Sequence, residues 1–142
     1  MAPGMIVKLA ELDDDYFGVE IYASIDRFAG SAHIYAGLRE LSEFATCIAG
    51  FPSNPDDKRE YEFGSRDLSV AGGYAGLRLY CFDRAGHAVV EIGIEDYGRY
   101  GRAKAHLSFQ IEAAAVDQFV NALREIEKAR FGEAFLPAAG VG

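Results

Sequence analysis

Three successive segments in the second half of the chain repeat with a period of two. Leu77, Leu79 and Cys81 alternate with Arg78, Tyr80 and Phe82. Ala88, Val90, Ile92 and Ile94 alternate with Val89, Glu91, Gly93 and Glu95, and Ala105, Leu107, Phe109 and Ile111 with Lys104, His106, Ser108 and Gln110. Side chains on a strand point to opposite faces in turn, so this pattern predicts antiparallel strands with one face buried and one wet. After Glu112 the period changes. Val116, Phe119, Val120, Leu123 and Ile126 fall on one stripe of a helix expected over 113–130, and that stripe can cover the apolar face of the sheet.

The first half repeats the theme. Residues 5–12 read as a strand ended by Asp13-Asp14-Asp15. Phe17, Val19, Ile21, Ala23 and Ile25 then share one face against Gly18, Glu20, Tyr22 and Ser24. A turn at Asp26-Arg27 leads into a third strand, Phe28 to Ala36, and the three segments form a meander. A helix is expected over 37–49, with Leu38, Leu41, Phe44, Ala45 and Ile48 on one side and Gly50 and Pro52 as its stop.

Ser53 to Arg59 (SNPDDKR) holds no apolar residue and reads as the most loop-like and mobile stretch. Glu60 to Gly64 is a short strand broken at Ser65-Arg66, Asp67 to Ala71 is open to further pairing, and Gly72-Gly73 marks a turn. Asp83 to Gly86 is a four-residue hairpin connection. Tyr97 to Arg102 reads as a glycine-punctuated loop, and the glycine- and alanine-rich stretch 132–142 is expected to fray. The expected fold class is α+β: one antiparallel, twisted sheet of six to eight strands with two helices packed on one face, residues 1–142 forming a single domain.

Composition narrows the functions such a fold can serve. The formal net charge is -8. Such a surface repels phosphate backbones, so no nucleic-acid partner is expected, and a basic protein partner suits it better. No apolar run is long enough to span a bilayer and no signal-peptide pattern opens the sequence, so a cytoplasmic, membrane-free location is expected. The two cysteines, Cys47 and Cys81, read as buried free thiols in a reducing compartment.

Signatures of chemistry are sparse. His33, His87 and His106 lack metal-ligand spacing, so no metal and no cofactor is expected. No GxSxG occurs, and Ser65 reads as a turn residue. The glycine-rich Gly72 to Gly76 run precedes a strand, where a phosphate cradle would need a helix N-terminus. No catalytic residue is assigned. The open face of the sheet is the better candidate. It is expected to gather Glu20, Tyr22, Arg78, Tyr80, Phe82, Glu91, Glu95, Lys104 and His106, with Asp96, Tyr97 and Tyr100 beside it in the hairpin loop. Tyrosine, phenylalanine and arginine are the residue types that anchor interfaces. In this reading Tyr22, Arg78, Tyr80 and Phe82 supply the anchors, and Glu91, Glu95 and Asp96 the charges that steer a partner.

The runs Gly86 to Ile92, Leu107 to Glu112 and Val116 to Leu123, with Leu41-Ser42-Glu43-Phe44 upstream, resemble the layout of WapI-type bacterial immunity proteins. The resemblance covers the chain from about Phe28 onward and rests on structural motifs. It implies a small, non-enzymatic, cytosolic bacterial protein that binds and neutralises a cognate toxin, here one with a basic surface. Two other readings stay open: a small enzyme or ligand-binding domain using His106 and Arg78 beside the 97–102 loop, and a structural homodimer built through the same face.

Overall fold

The computed structural model describes residues 2–67 and 72–140. It is an α+β fold in the order β1 (Gly4–Leu12), β2 (Tyr16–Ile25), β3 (Phe28–Gly37), α1 (Glu40–Ile48), β4 (Lys58–Gly64), β5 (Tyr74–Cys81), β6 (Ala88–Gly98), β7 (Gly101–Ile111), α2 (Ala113–Ala129) and β8 (Glu133–Pro137). The alternating patterns place their apolar residues inward as expected. What they do not reveal is that the strands divide into two sheets of four. One has the order β3-β2-β1-β8 and the other β4-β5-β6-β7, and every pairing is antiparallel.

The break falls at α1. Instead of returning to pair with β3, the chain crosses through the helix and begins a new sheet with β4. The two sheets stay close along β3, which runs against β4, β5, β6 and β7. Small residues permit that approach. The Gly73 N–H donates to the His33 carbonyl at 2.8 Å, and a Cβ on Gly73 would sit 2.7 Å from the Glu95 carbonyl oxygen. A Cβ on Gly30 would likewise stand 2.7 Å from that of Ala105.

The inner faces of both sheets and the buried stripes of both helices form one contiguous core. Phe44 is central to it, with its ring 5.0 Å from Phe63 and 5.9 Å from Phe119. Phe119 and Leu123 are fully buried, so α2 presents the stripe its spacing dictates. The helices are also tied by polar contacts. Glu127 of α2 accepts bonds from the Ser42 backbone N–H and hydroxyl at the open first turn of α1, where helical N–H groups have no partner within the helix.

Two stretches differ from their sequence reading. The end of the chain, expected to fray from 132 onward, instead supplies β8, which pairs with β1 from Lys8↔Glu133 to Gly4↔Pro137. Ala134 and Leu136 are buried there, and burying them together with completing the β1 ladder outweighs the flexibility of the glycines around them. The SNPDDKR loop is held by its polar groups. Asp57 accepts from the Ser53 N–H and, side-on, from Nε and Nη2 of Arg59, each at 2.8 Å, and Nη1 of Arg59 donates onward to the Cys47 and Ala49 carbonyls at the end of α1. Of the pairing segment suggested at Asp67 to Ala71, Asp67 belongs to no strand and 68–71 lie outside the described residues.

Candidate partner-binding face

The outer face of the second sheet follows from its register. Four rows cross it: Lys58, Tyr80, Val89 and Gln110; Glu60, Arg78, Glu91 and Ser108; Glu62, Gly76, Gly93 and His106; Gly64, Tyr74, Glu95 and Lys104. Arg78, Tyr80, Glu91, Glu95 and His106 therefore share one surface, as their alternation predicts. Phe82 stands just past the end of β5, 49% exposed and stacked on His87 at 5.7 Å.

Tyr22 does not belong there, and neither does Glu20. Both lie on β2, on the outer face of the other sheet, between neighbours on β1 and β3. Alternation fixes which way a side chain points on its own strand but not which strands share a sheet, and the division at α1 separates these two residues from the rest.

Two carboxylates organise the face. Glu91 accepts from the Tyr80 hydroxyl at 2.9 Å and lies 3.8 Å from Arg78, which also reaches Glu60 at 3.5 Å. The Arg78 guanidinium sits 5.3 Å from the centre of the Tyr80 ring, so tyrosine and arginine hold each other while Glu91 anchors both. The hydrogen bond to Glu91 raises the Tyr80 phenol above its ordinary pKa. Glu95 is the second node. At 7% exposure it is the one buried charged side chain among the described residues, although its strand phase suggested a solvated position. Arg66 at 2.7 Å, the Tyr97 hydroxyl at 3.1 Å and Lys104 at 3.7 Å surround it. Burial pushes the Glu95 carboxyl up, but the Tyr97 hydroxyl, Lys104 and Arg66 together outweigh that and hold it below the usual range. Glu95 is thus a buried charge tied on three sides, while Asp96 beside it is half-buried.

The 97–102 segment is less of a loop than it reads. Tyr97 pairs with Arg102 and Gly98 with Gly101, leaving Arg99 and Tyr100 as the tip. The Arg102 guanidinium lies 5.9 Å from the Tyr97 ring centre, and Tyr100 is 92% exposed.

Sequence reasoning overlooked Tyr74 and Arg66. Tyr74 points outward in phase, yet it is buried because its ring lies along the strand over Gly76 with the Arg66 guanidinium 4.5 Å above it. Gly76, directly opposite Gly93, was the available signal that something must cover bare backbone there. Around Gly93 the face dips into a recess of about 210 Å³ bounded by Tyr74, Arg78, Glu91 and His106. A second recess of about 410 Å³ adjoins it on the Glu95 and Lys104 side.

Catalytic geometry is not assembled among the described residues. His33 bonds Glu20 at 2.6 Å and His87 bonds Asp83 at 2.6 Å, but no serine, threonine or cysteine is bonded to either imidazole. Among the described residues, His106 is exposed and without a polar partner, and no group of three or more His, Cys, Asp or Glu could hold a metal ion. Both cysteines are free and half-buried. No described helix is long and apolar enough to cross a membrane. In comparisons with known proteins, no family model, no curated protein and no solved structure matches the chain.

Proposed function

We propose that this chain is a binding protein that acts by occluding a protein partner, most concretely a bacterial cytoplasmic immunity protein neutralising a cognate toxin. The observation that carries the reading is the pre-set state of the second sheet's outer face. Tyr80 and Arg78 are the residue types that dominate interface energetics, and Glu91 already holds them in place. A partner meeting side chains already fixed loses less rotamer entropy on binding than one meeting free ones. The resemblance of its sequence runs to WapI-type immunity proteins is in line with this reading, and the net charge of -8 favours fast encounter with a basic toxin surface.

The test is a partner captured by co-expression with the neighbouring gene, followed by paired substitutions. Tyr80→Ala should leave the fold intact and weaken binding by at least ~2 kcal/mol, roughly thirtyfold in Kd. Tyr22→Ala, on the other sheet, should leave affinity unchanged. If Tyr80→Ala converts a dimer into a stable monomer with partner affinity untouched, the face is a homodimer seam instead. Protection of His106 and Arg78 by a small molecule, with no macromolecule bound, would replace this reading with a ligand-binding or enzymatic one.

A further inference from the structure

The glycine pair at the centre of the same face points to what the partner inserts. A glycine inside a strand weakens it, and it usually marks a bulge, a sharp bend, or a place where another group comes close to the backbone. Gly76 and Gly93 stand directly opposite each other on β5 and β6, and neither has the positive φ that would demand glycine. The β5–β6 register runs unbroken from Tyr74↔Glu95 to Cys81↔Ala88, so no bulge explains them.

Gly76 has an internal reason. A Cβ there would lie 2.5 Å from the Tyr74 hydroxyl and 3.1 Å from its Cζ, because the tyrosine ring covers that backbone. Gly93 has none. The nearest atom to a Cβ on it would be His106 Cδ2, at an ordinary 3.9 Å. Among the described residues, one of two paired glycines is therefore covered by an aromatic ring of its own strand and the other has no side chain lying over it, on the floor of the recess between Tyr74, Glu91 and His106.

We infer that Gly93 is the floor of a subsite for one aromatic side chain of the protein partner, which lies over it as Tyr74 lies over Gly76. An aromatic ring packed across a strand glycine shields the backbone and restores the contact that the missing side chain gives up. The surroundings suit a ring with a polar tip. His106 offers a flat edge on the β7 side, while Glu91 and Arg78 on one side and Lys104 on the other supply an acceptor and donors along the rim. The inference rests on the protein-partner reading and specifies which group of that partner enters the face.

The test does not need the partner to be known. N-acetyl-tyrosinamide, titrated into the isotopically labelled protein, should move the Gly93 amide and α-proton resonances upfield by ring current, together with the His106 ring protons. N-acetyl-leucinamide should not. Gly93→Val, which adds a side chain the backbone can accept, should keep or raise the melting temperature and abolish the shifts. Equal shifts from the aliphatic probe, shifts that survive Gly93→Val, or aromatic shifts centred on Phe82 instead would each overturn the subsite. A Gly93→Val protein that unfolds would show that the fold itself needs this glycine, and the inference would fall with it. A positive titration beside a failed partner capture would retain the aromatic site while discarding the toxin reading. A captured partner that binds Gly93→Val as well as the parent would do the reverse.

Discussion

Across the outer face of the first sheet, Phe135, Ile6, Tyr22 and Ser31 line up on β8, β1, β2 and β3. The matching row of the second sheet reads Glu60, Arg78, Glu91 and Ser108. In the first row Phe135, Ile6 and Tyr22 are half-buried and Ser31 is exposed, with no charge among them. Its charges form a small neighbouring group, in which His33 lies 2.6 Å from Glu20 and 3.7 Å from Glu11. The second face is covered by charges that grip aromatic rings, through Arg66 on Tyr74, Arg78 on Tyr80, and Glu91 and Glu95 beneath them. Both faces use tyrosine, glutamate and a basic group. On both they link several strands, but only on the second do guanidinium groups lie over tyrosine rings and a buried carboxylate hold the cations, which is why the second is the better candidate for recognition.

The largest expected effect sets the scale of what both sheets share. Phe119→Ala empties a fully buried site in the common core and should cost about 3–5 kcal/mol in chemical denaturation. Any outer-face substitution that costs as much would mean that the faces are parts of the core, and the contrast between them would lose its meaning.

Next in size is Glu95→Gln. It removes a buried carboxylate on which Arg66, Lys104 and Tyr97 converge, and it should lower stability near neutral pH by about 1–2 kcal/mol. Because the folded carboxyl is held below its ordinary range, its contribution is present above the unfolded value of about 4.3 and fades as pH falls through and below it. The gap between parent and variant should therefore narrow in acid. A gap that stays constant down to low pH would mean that Glu95 acts through packing alone.

The smallest effect belongs to the first face. Glu20→Gln disrupts only the partly exposed pair with His33 and should change stability by less than about 1 kcal/mol. An effect equal to that of Glu95→Gln would erase the difference between the two networks.

The sequence carried some of this and not the rest, for identifiable reasons. Inner faces were legible because a period of two assigns every residue on a strand to a side, and Val90, Ile92, Leu107 and Val116 are buried where the pattern puts them. Strand partners were not legible. Nothing local to Tyr22 or Arg78 says that α1 sends their strands to different sheets. β8 escaped notice because five residues with only Ala134 and Leu136 turned inward make too short a repeat among glycines and alanines. On the face itself, Arg78, Tyr80 and Glu91 could be read from alternation, whereas the burial of Glu95 depends on Arg66, far away in sequence.

The pairing of β1 has a consequence for how the molecule is made. Gly4–Leu12 is an inner strand of its sheet, yet one of its two neighbours is β8, so Lys8 cannot complete its ladder until Glu133 has been synthesised. During translation, at about 5–20 residues per second, the β1–β2–β3 meander must wait with one long edge unsatisfied while α1, the whole second sheet and α2 emerge. Ala138 and Ala139 then bond to Pro3 and to Gln110 of β7, linking the start of the first sheet to the edge of the second. Closure comes from the last strand, so a ribosome that stalls before it leaves a nascent chain with nearly all of its hydrophobic residues and an open sheet edge, the form most exposed to aggregation and to quality-control proteases.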